Sequence, residues 1–230
     1  MKILKHTLSI SLILLFVSFA YGQIREYKIH DRGMLHNTVF NTGEIGRAWQ
    51  TGEAGNFTSV PVFEWPPYSK TIIEGIEYDG QHNILGAGFY IGANLASAPG
   101  EIDRLFALCG GVGAGSPEVS IGRWSFPLYM EEIENFPLLE DGTLNLDYNP
   151  NEAEEIIRTS WATSTGITVT RTSRAWSYPD YDDMIIYEYE LEYTGDLDGN
   201  PATIEQTEDL KDVMVALNYG FAPSMYGYQR

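Results

Sequence analysis

The stretch "TGDLDGN", residues 194–200, sets Asp196 and Asp198 two apart, ahead of Gly199 and Asn200. Alternate acids before a glycine open calcium loops of the D-x-D-x-D-G type: side chains two apart turn toward one centre, and the glycine permits the sharp bend. The pattern predicts Asp196, Asp198 and Asn200 as the metal-ligating set, and calcium as the cofactor if one is held. It is incomplete, because no third acid precedes the glycine and Glu205 stands off the EF-hand spacing. A strand connection whose Asp, Gly and Asn supply turn geometry accounts for the same residues and is the favoured reading.

Other spacings are weaker. In "LDYNPNEAEE", Asp147, Asn149 and Asn151 alternate, but Glu152 stands where a calcium loop needs glycine. A helix over 152–158, with Asn149 as N-cap and Pro150 as first residue, explains that stretch. Gly111, Gly113 and Gly115 alternate without the spacing or lysine of a phosphate cradle, so close packing or a surface loop is expected. His30 and His36 stand six apart around Asp31, and His82 is alone. Hydrogen-bonded or solvated histidines are expected there, since that spacing outside a helix directs no ligands. There is no G-x-S-x-G elbow and no H-E-x-x-H, so no catalytic residue is assigned. Paired carboxylates for glycoside hydrolysis carry no weight in a chain so acidic. Cys109, the one cysteine, sits in "RLFALCGG" and is expected to be a buried inert thiol, with no disulfide anywhere. Trp65, Trp124, Trp161 and Trp176 lie beside turn-like sequence, where aromatic faces could stack on sugar rings, although core packing accounts for most such residues.

The elements that must position these groups are strands. "TSVPVFEWP", "SKTIIEGIEY", "NILGAGFYIGANL" and "IDRLFALCGG" are short runs rich in apolar, β-branched and aromatic residues, broken by Gly, Pro, Asn and Asp. Residues 166–176, 183–193 and 210–221 read as three successive antiparallel strands. In the middle one Tyr187, Tyr189, Leu191 and Tyr193 share a face and Glu188, Glu190 and Glu192 the other. Thr168, Thr170, Thr172 and Arg174, with Arg171 beside them, are placed to pair with those glutamates. The predicted fold is all-β, with antiparallel β-sandwich-like sheets, long loops and one short helix. Its expected divisions are an N-terminal β region (23–125), an acidic connection with the helix (126–160) and a C-terminal antiparallel block (161–230).

Residues 1–22 read as a signal peptide: Lys2 and Lys5, an apolar run from Leu8 to Phe19, then Ala20-Tyr21-Gly22, with cleavage before Gln23. No later stretch is apolar enough for a membrane helix, so no membrane insertion of the mature chain is expected. Fourteen Lys plus Arg stand against 32 Asp plus Glu, a net charge of −18. That balance excludes nucleic acid as a partner, because its binders need basic patches. The expected location is secreted or cell-surface.

Three stretches carry a resemblance: "RGMLHNTVFNTGEIG", "TIIEGIEYDGQHNILGAGFYIGA" and "RAWSYPDYDDMIIYEYELEYTGDLDGN". In this order they resemble the N-terminal region of large exported bacterial proteins of the type IX secretion sorting-domain kind. The resemblance implies an extracellular or surface-displayed β protein and carries over no catalytic residue. This chain departs from the pattern in "EYTGDLDGN", which weakens the metal inference, and in stopping at "PSMYGYQR" without a sorting domain. It is therefore expected to be a fragment of a longer polypeptide, or the product of a truncated gene reading. The function expected is a noncatalytic structural or binding module with glycans or surface proteins as partners; the alternative is part of an extracellular hydrolase.

Overall fold

The computed structural model describes residues 26–46, 61–67, 71–73, 76–78, 83–97, 104–110 and 125–221. The signal segment, His82, Gly111, Gly113, Gly115 and Trp124 lie outside them. In chain order the strands are β1 (Tyr27–His30), β2 (Asn37–Phe40), β3 (Thr71–Ile73), β4 (Ile76–Tyr78), β5 (Ile84–Leu95), β6 (Arg104–Gly110), β7 (Ser125–Glu134), β8 (Glu155–Thr163), β9 (Ile167–Ala175), β10 (Ile185–Tyr193) and β11 (Leu210–Phe221).

Two sheets dominate. One is the antiparallel meander β10-β9-β8-β7; the other has the order β11-β5-β6. The hairpin β1-β2 extends the second sheet, because Val39 bridges to Ile45 and Ile45 to Ala87 of β5. Ile91, Ala107 and Cys109 of the second sheet meet Trp161, Ile167 and Val169 of the first in one buried cluster. The Trp161 ring closes it, and its Nε1–H donates to Cys109 Sγ at 3.3 Å. Burying a side chain of that size is worth about 3 kcal/mol. The architecture is all-β and antiparallel, with two sheets face to face as a sandwich.

β9 shows why this sequence makes strands. Its residues alternate between buried and half-buried along the whole run, as period 2 requires. On the outer face Thr172, Thr170 and Thr168 stand opposite Glu188, Glu190 and Glu192, and Arg174 Nη1 reaches Glu188 Oε2 at 3.0 Å. The expected cross-strand pairing therefore holds for Arg174. Arg171 instead points into the core, where it is wholly buried.

Three expectations are corrected. Residues 152–158 are not a helix, and no described residue is helical: Asn149 Oδ1 accepts from Asn151 N–H at 3.1 Å in a turn, and β8 begins at Glu155. Ile156 and Ile157 are buried there between β7 and β9, and that burial outweighs the helix-forming glutamates ahead of them. The acidic connection is strand at both of its ends, where β7 and β8 pair in the meander, and irregular between them, over 135–154. Finally, β11 does not follow β10 in one sheet; it crosses to the other and pairs with β5 from Leu210↔Leu95 to Phe221↔Ile84.

Candidate functional site

The connection between β10 and β11 starts at a close approach. Gly166 O accepts from both Thr194 and Gly195 N–H, and Gly195 O accepts from Glu205 and Gln206 N–H at 3.1 and 2.9 Å. Gly195 has φ +75, and a Cβ there would lie 2.2 Å from Gln206 O, so only glycine fits. This neck returns the chain beside itself and brings Glu205 to the acids of the turn. One carboxylate oxygen each from Asp196, Asp198 and Glu205 lie within 4.8 Å of one another.

Asp196 is 3% exposed, while Asp198 and Glu205 are exposed. Asp196 Oδ1 accepts three backbone N–H groups, from Asp198 at 3.1 Å, Gly199 at 2.6 Å and Asn200 at 3.2 Å. Its Oδ2 is buried and accepts none. Asn200 N–H also reaches Asp198 Oδ1 at 3.0 Å, and its own Oδ1 accepts from Ala202 N–H at 3.3 Å. Of the sequence-predicted ligands, the structure thus brings Asp196 and Asp198 together and adds Glu205; Asn200 contributes its backbone N–H. Hydrogen bonds from Thr203 and then from Leu197 N–H hold the Glu205 carboxyl below its ordinary value. Among the described residues no Lys or Arg is ion-paired with any of the three acids.

A second polar constellation is buried. His30 of β1 has Nδ1 2.7 Å from Glu155 Oε2 of β8 and Nε2 2.7 Å from Ser173 Oγ of β9. A serine, histidine and carboxylate in series is the order of a hydrolytic triad. Here His30 and Ser173 are completely buried, and Ser173 Oγ also lies 3.2 Å from the Ile157 carbonyl. No substrate atom can approach such a hydroxyl, so the arrangement ties β1 to β8 and β9. Sequence distance hid it, because its members lie far apart in the chain. Arg171 acts similarly: its Nη2 donates to Phe40 O at 2.7 Å and its Nη1 to Gly43 O at 3.1 Å, fastening the bend after β2 to the meander.

The remaining sequence candidates have structural positions. His36 Nε2 lies 3.1 Å from Gly33 O, and Asp31 is exposed. Asp147 N–H donates to Asn145 Oδ1, and the acids near Asn149 and Asn151 form no metal-sized cluster among the described residues. Cys109 is buried, and desolvation pushes its thiol up to about 11. Of the tryptophans, Trp161 is core, Trp176 packs on Tyr181 at 5.9 Å and Trp65 is exposed.

One surface was not foreseen. β10 runs along β5: Tyr187 packs on the cluster of Ile84 and Ala87, Tyr189 meets Phe89 edge-on at 4.4 Å, and the Tyr193 hydroxyl donates to Glu208 O beside the start of β11. β10 is the last described strand of its sheet, and β11 joins the core between the sheets at its first residue, Leu210. Val215 and Leu217 stand opposite Ile91 and Phe89, hence on the core-facing side, yet they are 44% and 53% exposed. Tyr219 and Phe221 continue that exposed row. From 213 to 221 β11 has no charged residue.

Comparison with known proteins returns no match: no family model, no curated protein and no solved structure aligns with the chain.

Proposed function

We propose that this chain is a noncatalytic β module, secreted or displayed at the cell surface, that binds another polypeptide in the strand position left open beside β10. The observation that carries this reading is the apolar, core-facing row of β11, which is exposed beside β10, the last described strand of the facing sheet. Exposed, uncharged edge strands are otherwise rare, since they invite pairing with a second chain. A segment added to β10 would run along β11, as β10 runs along β5, and its backbone would meet the free edge of β10.

The chemistry of that segment follows from its walls. Side chains toward β11 meet Val215, Leu217 and Tyr219, so apolar residues fit at every second position. Those on the opposite side lie level with Glu188, Glu190 and Glu192, of which only Glu188 has an ion pair among the described residues. Lysine or arginine fits there. Charge also disfavours self-pairing of two β10 edges, which would set glutamate rows together. A surface-protein partner is preferred to a glycan on the strength of the apolar row of β11 beside the edge of β10; of the candidate stacking residues, Trp161 is buried in the core and Trp65 is exposed. The hydrolase alternative gains nothing from His30, Glu155 and Ser173, whose burial keeps them from any substrate.

The test is fluorescence anisotropy with two labelled extended peptides, one alternating Val and Lys, the other Val and Glu. The Lys peptide is expected to bind, and Leu217→Lys to weaken it about tenfold or more. Equal behaviour of the two peptides, or indifference to Leu217→Lys, would sink the reading. Export is tested separately by the mass of secreted material, with Gln23 expected as its first residue.

A further inference from the structure

The turn after β10 contains a buried oxygen with no partner, and that atom singles it out from the many acidic patches of this chain. We propose that Asp196, Asp198 and Glu205 bind one calcium ion. Asp196 is 3% exposed, its Oδ1 is saturated by three N–H donors, and its Oδ2 accepts nothing. A buried carboxylate oxygen without a donor is costly, and native folds leave few of them. A cation supplies what the protein does not, and it offsets the repulsion of three carboxylates held together with no ion-paired lysine or arginine among the described residues.

The donors select the ion. Three carboxylate oxygens brought together, two of them on exposed side chains that can take further water ligands, suit the all-oxygen, adaptable shell of calcium. Magnesium asks for shorter bonds in a strict octahedron, and zinc prefers nitrogen and sulfur, neither of which is offered here. Asn200 serves through its N–H, which fixes the orientation of both aspartates. Two exposed ligands out of three, Asp198 and Glu205, place the affinity among the weaker calcium sites, about 10⁻⁵ to 10⁻³ M. Bound there, the ion joins the outgoing and returning limbs of the connection, beyond the Gly195–Gln206 neck.

The experiment uses the whole chain stripped of metal with EGTA and dialysed. Titration calorimetry is expected to give one calcium per chain, and about 5 mM Ca²⁺ to raise Tm by about 3 °C or more. Glu205→Gln and Asp198→Asn, both at exposed positions, are expected to keep the metal-free Tm and lose about tenfold or more in affinity. Asp196→Asn is a poorer probe, because that residue also orders the turn. The proposal is overturned by no heat and no Tm shift at about 10 mM Ca²⁺, or by a shift unchanged in both exposed variants. An equal response to Mg²⁺ would overturn the choice of calcium.

Discussion

His30 with Glu155 and Ser173, and Asp196 with Asp198 and Glu205, are both carboxylate-bearing clusters assembled from distant or looping sequence, yet their atoms are provided for differently. Around His30, both ring nitrogens and the serine hydroxyl find protein partners, and three strands are joined by them. Around Asp196, one oxygen is saturated and the other has nothing. A buried carboxylate whose needs are met within the chain holds the fold; a buried carboxylate oxygen left without a donor beside two further acids points to something the chain does not contain. The same triad-like order that would signal chemistry at a surface signals a structural tie when it is sealed.

That comparison can be broken at several strengths. Arg171→Met keeps much of the volume and removes the donors to the Phe40 and Gly43 carbonyls, and a loss of about 3–4 kcal/mol in urea unfolding is expected. Stability close to wild type would show that the buried guanidinium ties nothing. His30→Leu is expected to cost about 2–3 kcal/mol, because the Glu155 carboxylate is left in the interior. Combining it with Glu155→Leu should cost less than the two separate losses added together, and simple additivity would argue that the pair does not interact. In metal-free buffer Asp196→Ala should lose about 1–2 kcal/mol with its three N–H contacts, whereas Glu205→Gln should stay within about 0.5 kcal/mol. Equal effects would erase the distinction between the turn-forming acid and its exposed neighbour.

The smallest effects are set by titration. Burial raises the hydroxyl of Tyr187 above its ordinary 10.0 and the thiol of Cys109 from 9.0 to about 11. Unfolded chains lose those protons first, so the stability linked to keeping them neutral is complete below about pH 9 and declines as pH rises through that of each unfolded group. Urea midpoints measured at about pH 8 and about pH 10.5 should fall accordingly, and a flat profile would contradict the burial. At neutral pH a thiol reagent should modify Cys109 only as fast as the chain opens, with the rate rising in urea.

Much of the sheet was legible in the sequence because period 2 is a local signal. The tyrosine and glutamate faces of β10, and the Arg174–Glu188 pair across to β9, follow from alternation alone. Where local and distant terms disagree, reading fails: residues 152–158 have a helix-compatible start, and only their place between β7 and β9 makes them strand. Pairing partners carry no local mark either, so β11 read as a neighbour of β10 while its hydrogen bonds go to β5. At the candidate metal turn, Asp196 and Asp198 were visible from spacing. Glu205 was set aside by a loop template and recovered by the Gly195 neck, and the unpartnered Oδ2 exists only in three dimensions.

The long crossing from β10 to β11 also sets an order of events. Residues 125–193 can form their meander as soon as they are available, since each strand pairs with the one before it. β5 has no such freedom on its β11 side: Ile91 waits for Val215, and Phe89 for Leu217. Contacts of that separation form slowly, because a large loop must close before any pairing repays it. The chain therefore completes its early sheet with its late residues, and until Leu210 to Phe221 arrive the glycine-rich β5 is itself an open edge.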